Sequence, residues 1–137
     1  MTKRLNKGFT LVELLIVIVI VGILALAAIL LVSNYVDRAK AAEAETAIGS
    51  IKRHLEVYFT EFDTDAADMA TLEADGYVTT GSFNGQYYDT YTWGGAIANH
   101  RYVGDIVATA RANSGAPEVT ITYAADGTAS IARVPAP

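Results

Sequence analysis

The stretch from Phe9 to Val32 reads FTLVELLIVIVIVGILALAAILLV, and its only polar side chains are those of Thr10 and Glu13. Residues 14–32 form a run of nineteen without a charged or strongly polar side chain, close to the roughly 20 that cross a bilayer core. The β-branched residues 17–21 would favour a strand in water. In lipid, however, the backbone must satisfy its own hydrogen bonds, so the stretch predicts a membrane-spanning helix.

The residues on either side of this stretch differ in charge. Residues 1–8 carry Lys3, Arg4 and Lys7 and no acid, which by the positive-inside bias places the amino terminus in the cytoplasm. The formal charge of the whole chain is −5, and without the leader seven basic residues face fifteen acidic ones. Because nucleic-acid affinity depends largely on neutralising phosphates, we predict no specific nucleic-acid partner. With no cysteine in the chain, disulfides and thiol chemistry are excluded.

Simple targeting segments do not account for Glu13. A secretory signal peptide would end in a small-x-small cleavage site before a new domain, whereas here the run continues through residues 25–28 into more apolar residues. A plain signal anchor has no need of a carboxylate. An acid inside a membrane segment costs about 2.5–3.5 kcal/mol on insertion scales, so Glu13 is a candidate functional residue.

The stretch from Lys7 to Val17, KGFTLVELLIV, followed by GILA at residues 22–25, resembles the type IV pilin family. The resemblance implies that residues 1–8 are a leader, that a prepilin peptidase cuts between Gly8 and Phe9, and that Phe9 is then N-methylated. It also implies an inner-membrane precursor that the pilus assembly machinery builds into a homo-oligomeric surface filament. Many relatives have a helix-breaking proline near the position of Leu30, and its absence here puts a kink at that position in doubt.

A role for Glu13 in assembly follows from this resemblance. Cutting before Phe9 creates an amine that stays cationic after monomethylation. Glu13 lies four residues later, which in a helix is one turn away and on the same face. The resemblance favours pairing of the Glu13 carboxylate with the Phe9 amine of a neighbouring subunit, which would fix the axial register. The alternative is a glutamate that only extends to the membrane interface from the first helical turn.

The helical pattern continues beyond the membrane segment. Apolar residues recur every three or four positions from Ala44 to Phe62, which indicates one helix from Phe9 to Phe62 whose second half packs against a sheet. We expect a second helix over residues 65–74, capped by Thr64. The expected strands are residues 86–93, 102–110, 118–123 and 128–134. The residues that form the apolar stripe are Ala44, Ile48, Ile51, Leu55, Tyr58 and Phe62.

The strand pattern completes an α+β prediction, a long helix on a small antiparallel sheet. Glycines 81, 85, 94 and 95 are expected to lie in loops, and Asp126-Gly127 predicts a hairpin between the last two strands. Thr120, Thr122, Ser130 and Ala132 alternate with apolar neighbours, as in a sheet with one wet face. The predicted organisation is a leader at 1–8, a transmembrane and filament-core helix at 9–36, and an extracytoplasmic domain at 37–137.

Catalytic and metal-binding patterns are weak in this sequence. His54 and His100 have no metal-like partner at close spacing, and His54 fits an exposed or half-buried helix position. The acids Glu61, Asp63, Asp65 and Asp68 lack an ordered calcium loop, and a solvated helix–loop boundary explains them better. The tyrosines suit half-buried packing positions. We therefore predict no enzyme activity, no cofactor and no metal.

Three functions remain open on the sequence. The first is a structural subunit of a type IV pilus, polymerising through its amino-terminal helix for motility, adhesion or DNA uptake. The second is a pseudopilin of a type II secretion system, which would form a short periplasmic filament. The third is a membrane-anchored binding protein that works as a monomer.

Overall fold

The structure is a computed structural model that describes residues 8–136, apart from the side chains of residues 30 and 31. The leader residues Lys3, Arg4 and Lys7 therefore lie outside the described residues. The α+β prediction is confirmed, because one long helix precedes a four-stranded antiparallel sheet. The elements are α1 (Leu11–Phe62), α2 (Met69–Ala74), β1 (Tyr88–Ala98), β2 (Arg101–Ala110), β3 (Glu118–Tyr123) and β4 (Ala129–Val134).

The chain divides into two compact units between Val36 and Asp37. In the first unit the large apolar side chains of the described residues are exposed, from Phe9 to Val36. Within residues 8–136, α1 is the helix that is long and apolar enough to cross a membrane, by length and composition. Helix α1 is continuous through residue 30, as expected where no proline removes an intrahelical hydrogen bond.

The core of the second unit lies between the later turns of α1 and the sheet. Five of the six residues in the predicted apolar stripe are buried, and Ala41 extends the buried face by one turn. The prediction was wrong for the last residue of the stripe, because Phe62 is 47% exposed. From the sheet and from α2 the core receives the fully buried side chains of Tyr88, Ile106, Val119 and Leu72.

The second helix begins later than predicted. Its N-cap is Asp68, not Thr64, and the helix covers only Met69–Ala74. The Asp68 carboxylate accepts hydrogen bonds from the Thr71 backbone N–H at 2.9 Å and from the Thr71 hydroxyl at 2.8 Å. Asp65 is used elsewhere: its carboxylate accepts the Ile97 backbone N–H at 2.9 Å, so the chain before Asp68 is held against β1.

The first two strands form a longer hairpin than predicted. Strand β1 passes through Gly94 and Gly95, which were expected in a loop, and Gly95 pairs with Gly104 of β2. A Cβ on Gly95 would stand 2.9 Å from the Gly104 Cα, so the two backbones approach too closely for side chains. Glycine here permits close strand contact and does not mark a turn.

The last hairpin confirms one prediction and corrects another. Asp126 and Gly127 form the turn between β3 and β4, with Gly127 at φ +90°. Strand β3 alternates as expected, with Val119 and Ile121 buried. Strand β4, however, is exposed along its whole length and has no buried face. It is one of the two outer strands of the sheet, and its apolar Ile131 is 46% exposed.

Candidate assembly site at the amino terminus

Residues 8–10, the described residues before α1, are exposed and belong to no helix or strand. Residues 8–10 precede α1, which begins at Leu11. A Cβ on Gly8 would meet no other atom within 4 Å, and the Phe9 side chain is 81% exposed. The Gly8–Phe9 peptide bond therefore lies in an open segment. The expectation that α1 includes Phe9 was wrong by two residues.

Thr10 and Glu13 explain where the helix begins. The Glu13 carboxylate accepts the Thr10 backbone N–H and the Thr10 hydroxyl, each at 2.8 Å. In return, the Glu13 backbone N–H donates to the Thr10 hydroxyl oxygen at 3.3 Å. This reciprocal arrangement is a capping box, which satisfies two backbone donors that have no partner inside the helix. Thr10 is thus the N-cap, and the chain enters α1 at Leu11.

The capping box gives Glu13 a role that the sequence analysis missed. The Thr-x-x-Glu spacing at residues 10–13 is the signal that could have revealed it. Both hydrogen bonds use Oε2, and within residues 8–136 the other oxygen, Oε1, accepts no hydrogen bond. A carboxylate in the first turn is also favoured by the positive end of the helix dipole. Glu13 is therefore held in place and keeps an acceptor atom for a further donor.

Three of the four clustered acids of the sequence accept hydrogen bonds within the second unit. Asp65 and Asp68 bind backbone N–H groups, and the Glu61 carboxylate accepts the Tyr77 hydroxyl. Asp63 adopts a left-handed conformation at φ +53°, directly after α1 ends. Across the part of the chain that the structure describes, no group of three or more histidine, cysteine or acidic side chains could hold a metal ion.

The two histidines lie in different surroundings. His54 is half-buried on α1, as expected, and its ring packs edge-on against Phe83 with 5.9 Å between ring centroids. His100 is exposed in the β1–β2 turn, where both Asn99 and His100 have positive φ. Two consecutive residues with positive φ are typical of a type I′ hairpin turn. Neither histidine is near the amino-terminal site in sequence.

The amino-terminal segment matches a known family model. The prokaryotic N-terminal methylation motif covers residues 3–29 of this chain, and this range includes the whole capping box. Among known proteins, the fimbrial protein EcpC of Eikenella corrodens is 37% identical over 131 residues. That alignment covers 95% of this chain and 80% of the relative.

A second group of relatives matches only part of the chain. A type IV major fimbrial protein, FimA of Dichelobacter nodosus, is 48% identical over 50 residues, which is 36% of this chain and 31% of that relative. Another FimA from the same organism is 43% identical over 54 residues, which is 39% of this chain and 35% of that relative. No solved structure gives a significant match.

Proposed function

This chain belongs to the type IV pilin family, and we propose that it becomes a pilus subunit by cleavage after Gly8 and methylation of Phe9. Members of this family are structural subunits of pilus filaments, and the same function is assigned here. The subunits polymerise through the amino-terminal helix. The fimbrial names of its relatives favour a pilus over a type II secretion pseudopilus and over a monomeric binding protein.

The observation that carries the proposal is the geometry around Glu13. Its carboxylate lies at the start of α1, directly after the open segment that contains the Gly8–Phe9 bond. Cleavage there produces a cationic amine on Phe9. Oε2 is used by Thr10, so Oε1 is the atom that would accept the Phe9 amine of a neighbouring subunit. One carboxylate then caps its own helix and binds the next subunit.

The exposed apolar surface of the first unit supports the same route. An apolar helix of this length needs either lipid or other copies around it. We therefore propose an inner-membrane precursor, processed by a prepilin peptidase and extracted by the pilus machinery into an extracellular filament. Each subunit would exchange lipid contacts for contacts with other copies, and a head-to-tail contact that does not close produces an open helical filament.

Intact-mass measurement of filaments sheared from native cells tests the processing step. We expect a chain that begins at Phe9 with one added methyl group. A mature chain that begins at Met1, or at Ala28 or later, would contradict cleavage after Gly8. Gly8→Ala should slow processing less than Gly8→Leu, because the cut site needs a small residue.

Two substitutions separate the pairing role of Glu13 from its capping role. Glu13→Gln keeps a side chain that can complete a capping box but removes the charge, whereas Glu13→Ala removes both. If the carboxylate pairs with the Phe9 amine, both variants leave a buried cation uncompensated, at a cost of about 3–5 kcal/mol. Both should then accumulate in the membrane and fail to enter filaments.

The measurement compares membrane-bound with sheared surface protein for each variant and for the native chain. Normal filament yield from Glu13→Gln, with loss only in Glu13→Ala, would mean that Glu13 acts through the helix cap. Normal yield from both variants would support a glutamate that only extends to the membrane interface. Membrane insertion should become slightly easier in both, since a membrane-disfavoured charge has been removed.

A further inference from the structure

The second unit contains a groove that has no part in the assembly function proposed above. Two cavities, of about 440 and 170 Å³, lie on either side of the loop at residues 82–84. Both are lined by Ser82, Phe83, Asn84 and Tyr91. The larger cavity lies between this loop and α1, and the smaller one between the loop and the start of α2. We refer to the two together as the Phe83 groove.

Tyr91 has a buried hydroxyl without a partner. The residue is 7% exposed, and among the described residues its hydroxyl is the buried side-chain polar atom that makes no hydrogen bond. Buried polar groups almost always have a partner, so an exception asks for an explanation. Burial, followed by the nearby Glu43 carboxylate, raises the pKa of Tyr91 to about 12. The hydroxyl therefore stays protonated at neutral pH and can both donate and accept.

The charges around the groove restrict what it can bind. No lysine, arginine or histidine is found among the described residues that line the two cavities, whereas Glu43, Glu73 and Asp89 are. An anionic ligand would meet no cationic lining residue there, since Arg111, which pairs with Asp89 at 3.6 Å, lines neither cavity. The Glu43 charge is already held by three backbone N–H groups of residues 86–88. A neutral ligand with several hydroxyl groups is the better match, because carboxylates and the Asn84 amide can exchange hydrogen bonds with hydroxyls.

We propose that the Phe83 groove binds a neutral sugar unit. The Phe83 ring supplies an apolar surface for the C–H face of the sugar, and the Tyr91 hydroxyl supplies the buried hydrogen bond that fixes its orientation. Ligand sites typically combine such an aromatic wall with a few placed polar groups. The ring of Phe83 stands edge-on to that of Tyr91, with centroids 6.2 Å apart. The hydroxyl is shielded from solvent, so a neighbouring side chain must turn aside when the sugar enters, and we assign this movement to the Phe83 ring, which contacts the Tyr91 ring.

The loop that carries Phe83 has the residues such a movement requires. Gly81 and Gly85 flank it, and Gly81 has φ +78°, a conformation that glycine adopts without strain. Ser82 is tied within the loop, donating its hydroxyl to the Thr79 carbonyl at 2.5 Å. Turning the Phe83 ring would exchange its edge-on contacts with His54 and Tyr91 for contacts with the sugar.

Saturation-transfer NMR on sheared filaments tests the proposal. The probes are the methyl glycosides of glucose, galactose, mannose and N-acetylglucosamine, with N-acetylneuraminic acid as the anionic probe and tetramethylammonium as the cationic one. We expect transfer to at least one neutral glycoside and none to N-acetylneuraminic acid. Transfer to no neutral glycoside, or only to tetramethylammonium, would overturn the proposal. The detergent-solubilised full chain is tested in parallel, so that a failure of filament assembly does not affect this outcome.

A substitution that removes a single oxygen atom tests whether the Tyr91 hydroxyl binds the sugar. Tyr91→Phe removes a hydroxyl that has no protein partner, so the chain should fold and assemble normally, while the neutral glycoside binds about five- to tenfold more weakly. Tyr123→Phe is the matched control, because it removes one hydroxyl from β3 and does not line the groove. Equal affinity for Tyr91→Phe and the native chain would show that the hydroxyl takes no part. A loss in Tyr123→Phe as large as that in Tyr91→Phe would likewise overturn the assignment.

Discussion

Two glutamates of α1 hold backbone N–H groups at places where the chain needs them. Glu13 caps the start of its own helix through Thr10. Glu43 reaches a distant loop, where its two carboxylate oxygens accept the N–H groups of Gln86, Tyr87 and Tyr88 at 2.9 to 3.1 Å. Hydrogen bonds to a charged group are worth more than those between neutral groups, so Glu43 ties α1 to the entry of β1.

Gly85 makes this contact possible and gives the first stability prediction. A Cβ on Gly85 would overlap the Glu43 carboxylate, so Gly85→Ala displaces that carboxylate from its backbone donors. We expect the free energy of unfolding to fall by about 2–3 kcal/mol. Thermal unfolding of the full-length chain in detergent, followed by circular dichroism, measures the change.

Gly49 supplies the matched control for Gly85. It lies inside α1, and a Cβ there would meet nothing within 4 Å. Because alanine is the better helix former, Gly49→Ala should raise the free energy of unfolding by about 1 kcal/mol. If both variants shift stability in the same direction, the effect at Gly85 does not come from the Glu43 contact.

At the scale of elements, the local patterns were predicted and the long-range contacts were not. The three- and four-residue spacing of apolar side chains placed α1, and Asp126-Gly127 placed the last turn. Strand β1 was cut short because Gly94 and Gly95 usually signal loops. Their place in a strand depends on the opposing Gly104, which the local sequence does not reveal. The start of α2 was misplaced for a related reason. The Asp65 carboxylate accepts the Ile97 backbone N–H of β1, a long-range contact, and Asp65 lies outside the helix.

At the amino-terminal site, too, only some of the features could be predicted from the local sequence. Gly8, Phe9 and Glu13 were identified from a contiguous motif, and their roles in processing and assembly stay predictions. The role of Thr10 was missed although its signal is only three residues long. The exposure of β4 could not be predicted, because its alternation is that of a half-buried strand. That neither face of β4 is covered depends on long-range packing, because the buried core receives side chains from β1, β2 and β3 and none from the described residues of β4.

Two residues of the predicted apolar stripe on α1 fit the same sequence pattern but differ in burial. Ile48 is fully buried, whereas Phe62 is 47% exposed at the end of the helix. Ile48→Ala removes core atoms and leaves a cavity, so it should lower the free energy of unfolding by about 2–5 kcal/mol. Phe62→Ala loses mainly its ring contacts with Tyr58 and Tyr77, worth about 1 kcal/mol. Chemical unfolding of both variants measures the difference, and equal losses would contradict the burial of Ile48.

On the scale of the whole molecule, the two units differ in what stabilises them. The large apolar side chains that the structure describes in the first unit are exposed from Phe9 to Val36, so the stability of this unit depends on lipid or on other subunits. The second unit has its own core, with no buried charged side chain among the described residues. Tyrosines are the titratable groups of that core: Tyr58, Tyr88, Tyr91 and Tyr102 are all buried.

These buried tyrosines predict that stability is lost at high pH. Desolvation by burial is the largest cause that raises the pKa of Tyr88, Tyr91 and Tyr102 to about 12, from an ordinary value of 10.0. A group with a raised pKa binds its proton more tightly in the folded state. Its contribution to stability is therefore complete below pH 10, and is lost progressively as the pH rises from about 10 towards about 12.

The test follows phenolate absorbance and secondary structure together as the full-length chain in detergent is titrated with alkali. In the folded chain we expect some of the eight tyrosines to ionise near pH 10, and the buried ones only as the second unit unfolds. In concentrated guanidinium chloride all eight should ionise together near the ordinary value, because no core remains to exclude water. A folded chain whose tyrosines all ionise near pH 10, with its secondary structure intact, would contradict a core in which these phenols are desolvated.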